Sequence, residues 1–206
     1  MADAALGRPL TRPAEGSRAD KRWAQILDAA VARFAREGFH GASMASIAEE
    51  AGMSVGQIYR HFANKEAIIA AIVERDADET AAHCASLQVE PDALVESIVT
   101  DLEAAMNGES LQGGAPLRLE VLAEAARNPR MAALVQGADA RLRAAARQAF
   151  THTLGGRADP QSIESRLDII AMLFDGAASR SIKNPNTNTR ATAEALKPLL
   201  RLLFEG

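Results

Sequence analysis

Residues 54–65 hold the side chains best suited to contact a nucleic acid. Gln57 carries an amide that can pair with adenine, and Val55 carries methyl groups that can contact the methyl group of thymine. Gly56, between them, lets the backbone approach a partner closely. This pattern predicts that the stretch reads the edges of bases, provided that its helix lies in a DNA major groove.

Two short helices joined by a tight turn are predicted to position this stretch. Ser43 and Ser54 are suitable N-caps for the first and the second helix. Gly52 supplies the permissive backbone that ends the first helix. Ile58 and Phe62 lie four residues apart and face one core, so the residues between them point elsewhere. Such a pair is a helix-turn-helix, whose second helix can enter a major groove.

The composition favours an all-α protein. Hydrophobic residues make up 48% of the 206 residues but aromatic residues only 4%, and no stretch alternates apolar and polar residues long enough to indicate a sheet. No apolar run reaches 18 residues, so we expect no membrane span. The start of the chain lacks the pattern of a signal peptide. Cys84 is the only cysteine, which predicts a cytoplasmic protein whose thiol is packed rather than a redox sensor.

Charge is distributed unevenly along the chain. The net charge is −4, but residues 1–66 carry 9 Lys or Arg and 8 Asp or Glu, whereas residues 67–206 carry 14 and 19. The N-terminal part could therefore meet phosphate while the rest stays acidic. Because this part is only weakly basic, affinity for DNA would have to come from well-placed contacts and from dimerisation.

The chain divides into three predicted segments. Residues 1–18 read as a flexible tail, although basic arms of this kind can also reach a phosphate or a minor groove. The arginines that could do so are Arg8, Arg12 and Arg18. Residues 19–66 form the DNA-binding head, and residues 67–206 form the body. A helix over about 65–86, capped by Asn64, connects the two.

Helical periodicity predicts about nine helices in total. In the head, residues 21–37 form a helix that Gly38 ends, followed by the helix-turn-helix. The body continues with helices over about 92–107, 116–127, 129–154, 161–183 and 189–205. Pro198 should kink the last of these or weaken its internal hydrogen bonds.

Residues 23–73 resemble the N-terminal domain of TetR-type transcriptional regulators. The matching runs are AQILDAAVARFAREGF and ASMASIAEEAGMSVGQIYRHFANKEAI, and LEVLAEAARNP, residues 119–129, is similar to a segment of their regulatory domains. The resemblance implies a three-helix DNA-binding head and a helical ligand-binding and dimerisation domain. It also implies a homodimer in which the last two long helices pair with those of the partner.

The resemblance also assigns roles to side chains of the head. Tyr59 and His61 match positions that usually hold the DNA backbone, and Lys65 matches one at the start of the fourth helix. Arg60 is open between phosphate, base and a solvated face. The predicted DNA-contacting set is Ser43, Ser54, Val55, Gly56, Gln57, Tyr59, Arg60, His61 and Lys65, although capping is the main role expected of the two serines.

The body is expected to hold an effector pocket and a dimer interface. The candidate pocket residues are Leu102, Met106, Leu119, Leu122, Phe150, Met172, Phe174 and Asp175, although apolar residues at helical spacing more often form core. Glu120 and Glu124 share a helix face; they would suit a cationic ligand if buried, but we expect a solvated stripe. The candidate interface residues are Leu173, Gly176, Ala177, Leu196, Leu199, Leu200 and Leu203. The alternative is that these residues form the core of a monomer.

These features together predict a transcriptional repressor. It would bind a palindromic double-stranded operator as a homodimer and be released by a small, largely apolar effector. The alternative is a helical protein–protein interaction module without DNA affinity. Motifs for phosphate loops, GxSxG and HExxH are missing, and the four histidines are scattered, so we predict no enzyme activity, no cofactor and no metal.

Overall fold

The computed structural model describes residues 13–14, 16–87, 89–108, 114–155 and 159–204. These residues form nine α-helices, and the described ranges contain no strand. The helices are α1 (Arg18–Gly41), α2 (Met44–Glu50), α3 (Val55–Tyr59), α4 (Lys65–Ser86), α5 (Pro91–Met106), α6 (Gly114–Ala125), α7 (Pro129–Thr153), α8 (Pro160–Lys183) and α9 (Thr189–Leu202). The predicted all-α fold is confirmed. The predicted tail lies largely outside the described residues.

Helix ends fall where the sequence places caps and breakers. The Ser43 hydroxyl accepts a hydrogen bond from the Ser46 N–H at 3.0 Å, and the Asn64 side chain accepts one from the Ala67 N–H at 2.8 Å. Both satisfy donors that the first turn of a helix leaves free. At Gly38 the backbone takes φ 72° and ψ 164°, which interrupts α1 as predicted.

The chain forms two compact units whose boundaries differ from the predicted ones. Unit 1 comprises the described residues of Met1–Asp76 and Pro116–Val135, and unit 2 those of Ala77–Ala115 and Gln136–Gly206. The predicted boundary at residue 66 is too early, because the first half of α4 belongs to unit 1. The segment over residues 116–135, predicted to lie in the body, also belongs to unit 1.

Unit 1 is held by one apolar core that explains this boundary. Ile68 and Ile72 of α4 are buried in it, as are Leu117 and Met131. The rings of Trp23 on α1 and Phe62, just after α3, lie 4.2 Å apart between their centroids. Trp23 is therefore a core residue, as expected.

Ion pairs join α1 to α2 at the edge of the same unit. Arg33 lies 2.7 Å from Glu37 and 3.0 to 3.1 Å from Glu50 and Glu49. Arg36 pairs with Glu50 as well. Each exposed pair contributes little alone, but a shared network fixes the angle at which α2 leaves α1.

Unit 2 is built around α5, which packs against α8 and α9. Its core contains Leu94, Leu102 and Ile163, and the rings of Phe150 and Phe204 lie 4.8 Å apart. Ion pairs link its helices: Arg143 to Glu164 and Asp168 between α7 and α8, and Lys197 to Glu96 between α9 and α5. This unit has its own hydrophobic core, as a ligand-binding or dimerisation domain requires.

Candidate nucleic-acid interface

The helix α3 turns one face inward and the other outward. Ile58 is fully buried, whereas Val55 is 38% and Tyr59 52% exposed. Gly56 and Arg60 are exposed too. Large apolar or aromatic side chains exposed on a capped helix indicate a contact surface. The structure thus presents outward the residues predicted to contact DNA from α3, and the contact itself stays a prediction.

Gln57 does more than the sequence suggested, because its side chain caps its own helix. Its carbonyl oxygen accepts from the Ser54 N–H at 2.8 Å, and the Ser54 hydroxyl accepts from the Gln57 N–H at 3.3 Å. This is a capping box. A bidentate pair with adenine needs both ends of the amide, so base reading by Gln57 would compete with its capping role.

His61 lies half-buried beside two arginines. Burial lowers its pKa below the ordinary value of a histidine, and the positive charges of Arg22 and Arg60 lower it further. Arg22 comes from α1 and is a residue that sequence reasoning missed. Arg22 precedes Trp23 and His61 precedes Phe62, but the contact between those two rings is visible only in the structure. Three groups that favour anions therefore gather beside α3.

Lys65 is engaged by the protein itself. Its ammonium donates to the carbonyl of Phe39 at 2.8 Å, with the carbonyls of His40 and Ala42 at 3.3 and 3.4 Å. It also lies 4.8 Å from the centre of the Phe39 ring. Lys65 therefore binds the carbonyl groups at the end of α1, and a phosphate contact would compete with three carbonyl oxygens.

The expected solvated stripe on α6 holds only in part, because Glu120 is exposed and Glu124 half-buried, and both carboxylates have protein partners. Glu120 accepts a hydrogen bond from the Phe39 N–H. Glu124 lies 3.8 Å from His40 and accepts from the Asn128 amide at 3.1 Å. Both side chains are thus tied to unit 1 rather than left to a ligand.

The predicted pocket residues are divided between the two units. Leu119 and Leu122 belong to unit 1 and are exposed, whereas the others belong to unit 2. Of these, Leu102, Met106 and Phe150 are buried in the core, and Phe174 packs against it. Met172 is 63% exposed and Asp175 is exposed too. Four of the eight side chains are exposed within this chain, and the pocket stays a prediction.

A small cavity lies in unit 1 instead. It measures about 10 Å³ and is lined by Phe39, Ile69, Glu120, Val121, Glu124 and Met131. That volume holds about one water molecule. The cavity as it stands is too small for an organic effector.

The predicted interface residues separate into three groups by their burial. Ala177 and Leu200 are buried in the core of unit 2, so their assignment to a dimer interface is wrong. Leu173, Leu196 and Leu203 are half-buried and pack against that core. Gly176 and Leu199 are exposed. Exposed apolar residues that were not predicted lie on the same two helices, namely Ile169, Met172, Ile182 and Leu202.

The described part of the chain gives no support for a metal site, a reactive thiol or a membrane-spanning helix. No group of three or more His, Cys, Asp or Glu there is placed to hold a metal ion. Burial raises the pKa of the Cys84 thiol, which disfavours the reactive thiolate. None of the described helices is long and apolar enough to cross a membrane.

The all-α fold and the outward face of α3 together define a helix-turn-helix protein of the kind found in bacterial regulators. Residues 26–72 match the model for bacterial regulatory proteins of the tetR family. Residues 112–198 match the model for the C-terminal part of BetI-type transcriptional repressors. The chain belongs to the TetR family of transcriptional regulators.

Individual relatives are similar over part of the chain. The transcriptional regulator UidR of Escherichia coli K12 is 37% identical over 119 residues, 54% of this chain and 56% of UidR. The transcriptional activator FasR of Mycolicibacterium smegmatis is 37% identical over 84 residues, 38% of each chain. The matched region thus spans about half the length of UidR, so function does not transfer as a whole.

Solved structures match over most of the chain. Salmonella enterica GusR matches with a TM-score of 0.71 at 24% identity, and the match covers 91% of this chain and 95% of the GusR chain. FadR from Bacillus subtilis, in complex with stearoyl-CoA, matches with a TM-score of 0.69 at 17% identity. This match covers 86% of this chain and 97% of the FadR chain. At such identities the likeness shows the fold.

Proposed function

We propose that this chain is a ligand-responsive transcriptional regulator that binds a palindromic operator as a homodimer. The observation that carries the proposal is the outward face of α3, where Val55 and Tyr59 are exposed while Ile58 anchors the helix in the core. A helix held in this way can enter a major groove without losing its packing. A protein that binds a chromosomal operator works in the cytoplasm, and we include that location in the proposal.

The DNA contacts divide into base-reading and backbone-holding groups. Val55, Gly56 and Gln57 would face base edges, with Gln57 giving up its capping hydrogen bond to do so. Tyr59 and Arg60 would donate to phosphate oxygens or bases. His61 and Arg22 extend the phosphate-facing group toward α1, since Arg22 is near enough to lower the pKa of His61. Ser43 and Ser54 would contribute mainly by holding the starts of α2 and α3.

Dimerisation would supply the affinity that a weakly basic head lacks. The exposed apolar residues of α8 and α9 support an interface there, with Met172 and Leu199 more than half exposed in this chain. An isologous contact through such a face closes after two copies. Two heads reading successive major grooves on one face of DNA need a spacing of about 34–36 Å.

An effector would act by shifting the population of binding-competent dimers. We propose a small, largely apolar molecule bound by unit 2, and repression relieved by its binding. The stearoyl-CoA bound in the FadR structure supports a ligand with an apolar part, and the C-terminal match to a repressor model supports repression. The coupling expected is about 1–3 kcal/mol.

Selection of bound fragments from random duplex DNA tests the proposal directly. We expect the protein to enrich a palindromic site and to bind it less tightly as salt rises. Tyr59→Ala should weaken binding to all sequences and reduce the slope of affinity against salt by about one phosphate contact. Gln57→Ala should change the sequence enriched. The rival interaction module would show no salt-dependent DNA affinity.

The pH dependence of DNA binding tests whether His61 contacts a phosphate of the DNA. Its pKa is depressed in the free protein, and a phosphate nearby would raise it, because an anion favours the charged imidazolium. Affinity should therefore rise as pH falls through the pKa of the complex and level off below the pKa of the free protein. The gain in DNA affinity is about tenfold for each pH unit by which the pKa of His61 in the complex exceeds its pKa in the free protein.

Titrations of operator binding between pH 8 and pH 5.5 would measure this effect, with His61→Gln as the control. The variant should lose the pH-dependent gain while keeping the enriched sequence. Equal pH dependence in both proteins would exclude His61 as a phosphate contact.

A further inference from the structure

Residues 38–42 comprise the end of α1 beyond the break at Gly38 and the link to α2. We call them the corner, and charged side chains from two other helices of unit 1 hold it. The Phe39 N–H donates to the carboxylate of Glu120 on α6. The Phe39 carbonyl accepts from the ammonium of Lys65 at the start of α4. One residue of the corner thus has its donor and its acceptor satisfied by ionised groups of opposite sign.

The fit of Glu120 to the corner is close. A Cβ placed on Gly38 would lie only 2.8 Å from the Glu120 Oε1 atom. Gly38 also has φ 72°, which other residues rarely adopt. Glycine at this position is therefore required by the backbone angle, whereas a Cβ there would displace only the end of the Glu120 side chain.

The corner leads directly into the predicted DNA-facing elements. Ala42 immediately precedes Ser43, the cap of α2, and its carbonyl is one of the three near Lys65. A change in the position of Phe39 would therefore change the start of α2 and the partners of Lys65 together.

The segment that carries Glu120 is joined to unit 2 at both ends. The chain leaves unit 2 after Ala115, contributes residues 116–135 to unit 1 and returns to unit 2 at Gln136. Leu117 and Met131 bury this segment in the core of unit 1. Glu120 accepts the hydrogen bond from the backbone of the corner, whereas Glu124 of the same segment lies near the His40 side chain.

We propose that Glu120 is a positioning residue for DNA binding, which sets the α1–α2 corner through its hydrogen bond to the Phe39 N–H. The proposal rests on the proposed function, since it concerns operator affinity. Without this acceptor, a half-buried N–H loses its protein partner, and the corner is held by Lys65 alone. The start of α2 is then less well fixed, although Glu120 itself touches no DNA.

The test compares Glu120→Ala and Glu120→Gln with Glu124→Ala. Glutamine keeps an acceptor oxygen of similar reach, so it separates the hydrogen bond from the charge. Glu124 is the matched control, because it lies one turn further along the same face and has His40 and Asn128 as partners instead of the Phe39 N–H. Operator affinity, thermal unfolding and hydrogen exchange of the Phe39 amide are measured for each full-length protein.

We expect Glu120→Ala to weaken operator binding about tenfold and to speed exchange of the Phe39 amide. Thermal unfolding should stay cooperative, because the Glu120 side chain is exposed. Glu120→Gln should recover most of the affinity and the protection. Glu124→Ala should stay within about twofold of the unchanged protein, because it leaves the hydrogen bond from the Phe39 N–H to Glu120 in place.

The proposal would be overturned by unchanged affinity in Glu120→Ala, by equal losses in Glu120→Ala and Glu124→Ala, or by no recovery in Glu120→Gln. Unfolding of Glu120→Ala would overturn it as well, because it would make the role structural. If the unchanged protein binds no DNA, the proposed function fails instead, and that measurement needs no variant.

Discussion

Phe62→Ala will lower the free energy of unfolding of unit 1 by about 3–5 kcal/mol, the cost of emptying the space of a buried phenylalanine. Phe62 is fully buried and its ring contacts that of Trp23, so the loss removes the contact that holds α1 against the end of α3. Domains are stabilised by only about 5–15 kcal/mol. DNA binding should therefore be lost or confined to low temperature, and urea unfolding followed by circular dichroism would measure the change.

Tyr59→Ala is the matched control for this prediction. It removes an aromatic side chain from the same helix-turn-helix, but one that is half exposed. Its unfolding free energy should change by no more than about 0.5 kcal/mol, while its DNA affinity falls. Equal stability of the two variants would contradict the core position of Phe62, and a Tyr59→Ala variant that keeps the DNA affinity of the unchanged protein would contradict the role of Tyr59.

Local features of unit 1 were predictable from the sequence because they depend on short-range chemistry. The caps Ser43 and Ser54 act on N–H groups three residues away, and Gly38 needs only its own backbone freedom. The pair Ile58 and Phe62 lies at helical spacing, and both are buried. In each case the residue type and its near neighbours carry all of the information.

The contacts of Lys65 and Glu120 were not predictable in this way. Their partner Phe39 lies 26 residues before Lys65 and 81 residues before Glu120. A lysine at the start of a helix equally suits a phosphate and a carbonyl group, and a glutamate on an amphipathic helix equally suits water and an N–H. Only the tertiary packing of α4 and α6 against the corner decides between these partners.

The predicted dimer interface contained both buried and exposed residues for a related reason. The helix α9 is apolar on more than one side, so its pattern cannot separate the side that packs within the chain from the side that would meet a partner. In the structure Leu200 faces the core and Leu199 faces outward. Adjacent leucines on one helix thus have different roles, which follow from the position of α5 rather than from the sequence of α9.

Leu199→Glu will convert the protein to a monomer if the outward face of α8 and α9 is the dimer interface. Leu199 is 60% exposed in this chain, so a glutamate there is solvated in the monomer and the fold is preserved. In a symmetric dimer the carboxylate would be buried twice. A buried, unpaired charge costs about 3–5 kcal/mol, so association should weaken at least about a hundredfold.

The oligomeric state and the operator affinity of this variant should change together. Light scattering after size exclusion reports the first, and a DNA titration reports the second, which should fall steeply because each half-site must then be bound alone. Asn186→Glu is the control, since it adds the same charge at an exposed position in the loop between the same helices. A dimeric Leu199→Glu would place the interface elsewhere. A monomeric variant with full operator affinity would show instead that one head binds its site without a partner.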